Sequence, residues 1–342
     1  MIKFFRKIRR QLLTENKFTK YLLYAIGEIV LVVIGILIAL QINNANEKSK
    51  SEERTKQLLV KVQQELLLNI INANETIDYY RHRDSLVYKV VNRTVSLNDY
   101  NSNPRYFNLI LEEPKMSIID EAFKTFIESQ DNLSEVQDSI ALKLKKLYGL
   151  DKTLHDKNQQ MTIDHLINFG LKLKNENEWF SDFIHYFEDV DKPDEITDYF
   201  LNDPFYLNEV TTFEMFGLVN HFPSIVFFRN RAIWIYENIS DNLNLDKDNL
   251  IKKNPKDYQH YLGTYTSDSI SCLIKEENNE LMIYRINNID KSVIDSSQLF
   301  PDSKKYFTYW NIFGELKLDE NNEVYSLVLS RGFYRKEYVK EK

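Results

Sequence analysis

Glycine and cysteine are both scarce in this chain of 342 residues. The 8 glycines argue against phosphate-binding loops and dinucleotide folds, because those folds need glycine where the backbone approaches a ligand closely. Cys272 is the single cysteine, so no disulfide can form within the chain. Its stability must therefore come from packing, for which 21 Tyr and 21 Phe residues supply ample apolar surface.

The sequence also lacks the common catalytic and metal-binding motifs. It contains no Gly-x-Ser-x-Gly, Walker loop, Cys-x-x-Cys or His-Glu-x-x-His, so nucleophile, phosphate, redox and zinc sites have no support. His155, His165 and His185 lie along predicted helices, but their spacing does not bring ligands together on a metal. The sequence therefore predicts no cofactor and no metal, and it identifies no reaction.

One long apolar run is present near the N-terminus. Residues 21–42, YLLYAIGEIVLVVIGILIALQI, are enough to cross a hydrocarbon core of about 30 Å as a helix. Seven basic residues and one glutamate precede the run, so the positive-inside rule keeps residues 1–20 in the cytoplasm and exports the rest. A cleavable signal peptide is the rival interpretation, but QINN ends the run where a small-x-small site would stand. We expect an uncleaved anchor.

Charge is divided unevenly between the two ends of the chain. Residues 1–42 carry a net charge of +5, which leaves −12 for the remainder of a chain whose total is −7. This acidic balance disfavours binding of the exported part to nucleic acid. Within residues 1–20, apolar residues recur every three or four positions between basic ones, which suits either an interfacial helix or a simple topogenic flank.

The region after the anchor has a helical pattern. Residues 43–93 contain no proline or glycine, so the membrane helix is predicted to continue outward as a stalk. Further helices are predicted from Leu133 to Tyr148, ended by Gly149, and from Phe205 to Leu243, where Pro223 is expected to kink or divide the helix. Residues 43–250 thus read as an antiparallel helical bundle.

The pattern changes near Pro255, after which short alternating runs are separated by turns. The pairs Asn278-Asn279 and Asn321-Asn322 stand between such runs, and Asn tolerates the left-handed backbone that tight hairpins need. Residues 257–342 are predicted to form a small antiparallel, barrel-like β domain of seven or eight strands. The predicted fold class is α+β: one transmembrane helix, a helical bundle and a β domain.

The N-terminal segment MIKFFRKIRRQLLTENKFTKYLLYAIGEIVLVVIGILIALQINNANE resembles an uncharacterised family of single-pass membrane proteins from Gram-negative bacteria. Residues 112–148 are similar to the middle of that family. Ala45 stands where the family usually has Trp, so any interfacial anchoring by that Trp is lost. The resemblance implies an inner-membrane location and supplies no activity.

Residues 258–339 resemble the lipocalin-like β module that is often appended to penicillin-binding-protein-like serine hydrolases. The similarity rests on YLGTY at 261–265, NELMIY at 279–284, LFPDSKKYF at 299–307 and ENNEVYSLVL at 320–329. The hydrolase itself is missing, because no Ser-x-x-Lys lies in a suitable helix. The resemblance therefore implies only an accessory module of unclear function.

Four residues of the apolar run are candidate contact sites in the membrane. Glu28 is the only charge in the run, and intramembrane carboxylates are functional candidates unless they reach water or a nearby partner at the helix end. Gly27, Gly35 and Ala39 fall near one face, and Gly35-x-x-x-Ala39 has the spacing that lets two helices approach closely. The sequence thus predicts a membrane-helix contact at Glu28 and a parallel homodimer, although such patterns also arise by chance.

Aromatic residues of the β domain are candidate ligand contacts. Tyr261, Tyr265 and Trp310 could line the mouth of a barrel and bind an apolar or sugar ligand. The competing interpretation is that they fill the barrel interior, which is the commoner arrangement because small barrels are packed solid.

Three functional hypotheses remain open from the sequence. The first is a non-enzymatic periplasmic interaction or ligand-sensing module held in the inner membrane. The alternative is an accessory subunit of an envelope enzyme or transport complex, in which Glu28 contacts another membrane protein. The third is a hydrolase with an unfamiliar site. The expected partners are the lipid bilayer, a second copy of the chain and an envelope protein.

Overall fold

The computed structural model describes residues 18–129, 133–185, 193–249, 251 and 253–341. Helix α1 (Phe18–Val91) is a single helix of 74 residues, about 110 Å long at 1.5 Å per residue. The prediction that the apolar run continues into a bundle helix is confirmed. The predicted cytoplasmic segment 1–20 lies almost entirely outside the described residues.

The two halves of α1 differ in their surroundings. Apolar side chains between Leu22 and Ile42 are exposed, whereas those between Leu59 and Val87 that share one face are buried. Within the part of the chain that the structure describes, α1 is the one helix long and apolar enough to cross a membrane. Its position near the N-terminus fits a single membrane span or a signal sequence.

In the described part of the chain, eight shorter α-helices complete the helical region around the outer half of α1. They are α2 (Leu97–Ser102), α3 (Glu121–Glu128), α4 (Glu135–Lys146), α5 (Lys152–Glu176), α6 (Phe180–His185), α7 (Asp194–Asn202), α8 (Pro204–Phe213) and α9 (Phe222–Leu243). Ser96 and Ser134 begin α2 and α4 with capping boxes. Gln63 contacts Ser240 near one end of α9 and Tyr80 contacts His221 at the other, so α9 runs antiparallel to α1.

Two π-helical segments interrupt the α-helices. In the first (Leu147–Asp151) the expectation that Gly149 ends a helix is wrong, because its backbone is not left-handed and the chain continues directly into α5. Leu147, Tyr148 and Asp151 of this segment are buried, so the helical chain stays packed in the bundle through Gly149, whereas Leu150 faces outward. The second segment (Glu214–His221) lies just before Pro223, which has no N–H to donate to a regular helical hydrogen bond. The predicted helix from Phe205 to Leu243 is therefore divided there into α8, the π segment and α9.

The C-terminal region is one antiparallel sheet that forms a nearly closed barrel in the order β4-β3-β2-β1-β9-β8-β7-β6-β5. The strands are β1 (Gly263–Thr266), β2 (Ile270–Glu277), β3 (Glu280–Asn287), β4 (Val293–Gln298), β5 (Phe300–Pro301), β6 (Tyr306–Tyr309), β7 (Ile312–Leu318), β8 (Val324–Arg331) and β9 (Tyr334–Lys340). Nine strands occur among the described residues rather than the predicted seven or eight. The two residues of β5 are too few to show an alternating pattern.

The first of the two predicted asparagine turns is confirmed, whereas between β7 and β8 a longer loop joins Leu318 to Val324 and only Asn322 is left-handed. Asn278 and Asn279 have φ values of 51° and 64°, and Glu277 pairs with Glu280 across them. Two successive left-handed residues between paired strands form the type I′ turn that matches the twist of a hairpin.

Two hydrophobic cores meet at the junction of the helical bundle and the barrel. The bundle core is built on α1 and α9, and the barrel core contains Tyr261, Tyr265 and Phe307. Phe313 of β7 belongs to the bundle core, and its ring stacks on Phe222 with centroids 3.8 Å apart. The barrel is therefore packed directly against the bundle, and the surface between them is where functional side chains of both can meet.

Candidate functional site

A cleft of about 920 Å³ lies between the helical bundle and the β barrel. Its bundle wall comes from the middle of α1 and from α9, and its barrel wall comes from the β2–β3 turn and residues 298–306. Residues between Leu245 and Tyr258, in the connection from α9 to the barrel, line a third side. A concave site of this volume suits a small molecule or a short peptide.

The floor of the cleft is a charge network centred on Asp302, which follows β5. Arg229 Nη1 of α9 lies 2.8 Å from Asp302 Oδ1, and Arg81 Nη2 of α1 lies 2.5 Å from Asp302 Oδ2. Arg81 also pairs with Asp78, one turn back on α1. One barrel carboxylate thus joins both principal helices of the bundle.

Arg229 is only 2% exposed, yet each of its five N–H groups has a partner. Nε and Nη2 donate to Asn230 Oδ1 at 3.1 Å, Nη1 donates to Asn74 Oδ1 at 3.1 Å as well as to Asp302, and Nη2 also donates to Thr308. A buried charge is costly unless it is paired in this way. The guanidinium therefore has no donor left for an anionic ligand, and its role in the cleft is structural.

The wall above this floor is apolar, and the mouth is acidic. Apolar wall residues include Ile233, Leu281, Leu299 and Phe300. Glu237 and Asp241 follow on α9, and Glu280 lies across from them at the start of β3. Burial raises the pKa of Glu237, the charges of Glu280 and Asp241 add to the shift, and Lys247 opposes it. The mouth therefore favours neutral or cationic ligands over anionic ones.

A second group of titratable side chains is buried between the second π segment, α1 and α5. Tyr80 Oη lies 2.6 Å from His221 Nδ1, and the rings of His221 and His155 have centroids 5.1 Å apart. Burial lowers the pKa of both histidines, so both rings are neutral at neutral pH. Nowhere in residues 18–129, 133–185, 193–249, 251 and 253–341 do three His, Cys, Asp or Glu side chains converge as metal ligands.

Glu214, at the start of the same π segment, is fully buried beneath the β8–β9 turn. Neither of its carboxyl oxygens has a hydrogen-bond partner among the described residues. Burial raises the pKa of Glu214 to about 7, and the neighbouring charge of Asp84 adds to the shift. Asp84 accepts a hydrogen bond from Gly332 N at 3.3 Å and pairs with Arg335 Nη1 at 3.1 Å.

The predicted membrane-helix residues lie apart from these sites. Glu28 is half-exposed on the inner half of α1, and Ala39 is exposed. A Cβ atom added at Gly27 or Gly35 would meet no atom within 4 Å, so this face of α1 is open to a second helix. The predicted contact at Glu28 and the predicted dimer remain predictions.

The predicted aromatic ligand contacts do not line the cleft. Tyr261 and Tyr265 are fully buried in the barrel core, where Tyr265 Oη donates to Tyr261 O at 2.7 Å and Tyr261 Oη donates to Tyr306 O at 2.9 Å. Trp310 is 52% exposed in the β6–β7 turn. The structure brings the two tyrosines together and leaves Trp310 apart from them.

Sequence reasoning missed Arg229, Asp302 and Glu214. Arg229 and Glu214 each stand inside an apolar run, FFRNRAIW and TFEMFG, and a charge in such a run is a recognisable sign of a buried ionisable group. Asp302 sits in a turn-like PDS sequence and carries no comparable signal. Its role follows only from the packing of the barrel on the bundle.

Comparison with known proteins gives a match to a protein family over the N-terminal part of the chain. Residues 28–121 match a family of unknown function, DUF6090, and the matched span runs from within the apolar half of α1 to the start of α3. No curated protein and no solved structure matches the chain. The match includes the α1 wall of the cleft and leaves the barrel outside it.

Proposed function

We propose that this chain is an inner-membrane protein with its N-terminus in the cytoplasm and a periplasmic part that binds a ligand in the cleft. It acts as a non-enzymatic sensing or interaction module. The seven basic residues before the apolar run support this orientation through the positive-inside rule. The length and exposed apolar surface of the inner half of α1 support the membrane span.

The observation that carries this proposal is that one helix contains both the apolar run and one wall of the cleft. Asn74, Asp78 and Arg81 of α1 line the cleft, and the same helix runs without a break to Phe18. Arg81 is about 58 Å from Ile42 along the helix axis at 1.5 Å per residue. A ligand bound in the cleft therefore touches the same helix that carries the apolar run.

A photo-crosslinking residue in the cleft tests the proposal in intact cells. A benzophenone amino acid replaces Tyr258, which lines the cleft, and the matched control replaces Tyr325, which is 49% exposed on β8. Mass spectrometry of the purified chain should find a discrete adduct at position 258 that is missing at 325. Identical adducts at both positions, or none at 258, would contradict a ligand-binding cleft.

The alternative is an accessory subunit of an envelope enzyme or transport complex. It is favoured by Glu28, the only charge within the apolar run, since carboxylates inside membrane helices often mark functional sites. Co-purification in mild detergent should then recover a membrane partner that is lost in Glu28→Leu and kept in Glu47→Leu. Equal recovery from both variants removes this alternative.

A parallel homodimer is a further part of the proposal. Gly35 and Ala39 would form its contact, because small residues four positions apart allow close helix approach. Cysteine crosslinking at Gly35 in native membranes should give a dimer band. Substitution of Ala39 by Leu should weaken that band.

A further inference from the structure

The turn between β8 and β9 is seated on the second π segment of the bundle. A Cβ atom at Gly332 would lie 2.8 Å from Val219 Cγ2 and 3.3 Å from Glu214 Cγ. Gly332 also has a φ of 49°, in the left-handed region that disfavours side chains. The backbone of the turn therefore approaches the bundle as closely as the absence of a side chain allows.

This close contact covers an acid that has no partner for its charge. Both oxygens of Glu214 are buried and lack hydrogen bonds within the described part of the chain. Asp84 of α1 is the charged group that acts on it, and Asp84 is itself held by Arg335 of β9 at 3.1 Å. No described donor therefore stabilises a negative charge on Glu214 while the turn is seated.

The other titratable groups around the contact do not supply this stabilisation. Arg335 of β9 serves Asp84 and approaches Glu315 of β7 at 3.8 Å. His221 of the π segment and His155 of α5 are neutral at neutral pH, because burial lowers the pKa of each. Glu209 of α8 is engaged by Lys172 and His165. Burial also raises the pKa of Asp84, although Arg335 opposes that shift. An ionised Glu214 would therefore lie near a carboxyl group that Arg335 already pairs, with no described cation of its own.

We infer that protonation of Glu214 controls the seating of the β8–β9 turn on the bundle. The neutral acid tolerates burial beneath Gly332, whereas the carboxylate requires water and drives the turn away. The Asp302 contact with Arg81 and Arg229 stays in place during this change. The barrel then pivots about Asp302 while the β8–β9 turn moves away from the bundle. The contact between Gly332 and Glu214 thus acts as a proton-sensitive clasp between bundle and barrel.

The direction of the pH effect follows from linkage. The pKa of Glu214 is about 7 in the seated state, and contact with water in the lifted state returns it towards its ordinary value of 4.5. The seated state thus binds the proton more tightly, so seating is favoured at low pH and weakens as pH rises from about 4.5 to about 7. Between pH 5.5 and 8.5 the ratio of lifted to seated molecules should rise about 30-fold.

The clasp and the cleft both lie between the helical bundle and the β barrel. Pivoting of the barrel about Asp302 changes the width of the cleft, so ligand binding there should depend on pH over the same range. That consequence rests on the proposed function. The clasp itself does not, since it can be measured on protein without any ligand.

Pulsed electron paramagnetic resonance on the full chain in mild detergent tests the clasp directly. Spin labels are attached to Lys157→Cys on α5 and Val339→Cys on β9, both exposed positions. Cys272 remains unlabelled, because it is buried and burial raises the pKa of its thiol to about 12. The wild-type distance distribution should be narrow at pH 5.5 and should gain a longer component at pH 8.5.

Three variants decide the outcome. Glu214→Gln should keep the narrow distribution at both pH values, and Gly332→Ala should show the longer distance at both. Glu65→Gln, which changes a buried acid bonded to Ala122 N, Phe123 N and Tyr148 Oη inside the bundle, should respond to pH as the wild type does. A wild-type distribution that does not change with pH overturns the inference, as does a Glu214→Gln variant that still responds.

Discussion

The β barrel contacts the helical bundle at two buried ionisable side chains that differ in their hydrogen bonding. At one contact Asp302 reaches Arg229, a buried cation whose five donors all have partners. At the other contact Gly332 covers Glu214, a buried acid with no described partner. Both side chains come from continuous helical chain between Pro204 and Leu243.

The difference shows how a single interface can be both fixed and conditional. A buried charge with every hydrogen bond made is costly to disturb, so the Asp302 contact is expected to hold under all ordinary conditions. A buried acid without partners is stable only when protonated, so the Gly332 contact depends on pH. The first contact sets where the barrel attaches, and the second sets how it is seated.

The largest expected effect comes from removing the fixed contact. Arg229→Ala removes a buried cation with its five hydrogen bonds and leaves Asp302 paired with Arg81 alone, so it should lower the free energy of unfolding by about 3–5 kcal/mol. Urea unfolding of the detergent-solubilised chain, followed by circular dichroism, measures the change. The exposed Arg105→Ala is the control and should stay within about 0.5 kcal/mol of the wild type.

The close approach at Gly332 gives the next largest effect. Gly332→Ala places a Cβ against Val219 and keeps a left-handed backbone, so it should cost about 2–3 kcal/mol. If the variant is as stable as the wild type in the same urea experiment, the turn is not seated as described.

Glu214 should give a smaller effect that depends on pH. The raised pKa makes the acid destabilising where it ionises, so wild-type stability should fall as pH rises from about 4.5 to about 7. Glu214→Gln should remove this slope and be more stable than the wild type by about 2 kcal/mol at pH 8, with little difference at pH 5. Parallel slopes for the two proteins would show that Glu214 does not titrate in this range.

The smallest effect is a stabilising one and comes from a glycine away from both contacts. Gly170 lies inside α5, and a Cβ there would meet no atom within 4 Å. Gly170→Ala should therefore raise the free energy of unfolding by about 0.5–1 kcal/mol, because alanine favours the helix. Destabilisation would mean that another surface covers this face of α5.

Much of the fold could be predicted from local patterns. The absence of proline and glycine in residues 43–93 predicted the continuation of α1, and Asn278-Asn279 predicted a hairpin turn with both residues left-handed. These features depend on the intrinsic preferences of neighbouring residues. At Gly149 the predicted helix end was wrong, because packing of Leu147, Tyr148 and Asp151 carries the helical chain past the glycine.

The candidate site could not be predicted in the same way. The cleft joins residues 74–82 to residues 298–306, and no pattern within either segment indicates the other. The apolar runs around Arg229 and Glu214 do signal burial, but they do not show that one charge is fully paired and the other unpaired. That distinction arises from where the barrel packs on the bundle.

The proposed function depends most on α1 crossing the membrane and carrying one wall of the cleft on the periplasmic side. Labelling of single introduced cysteines with a membrane-impermeant maleimide tests it most directly, in cells whose outer membrane has been made permeable. Lys50→Cys should label in such cells, whereas Thr14→Cys should label only after lysis. Labelling of Thr14→Cys before lysis with protection of Lys50→Cys would place the cleft in the cytoplasm and contradict the account.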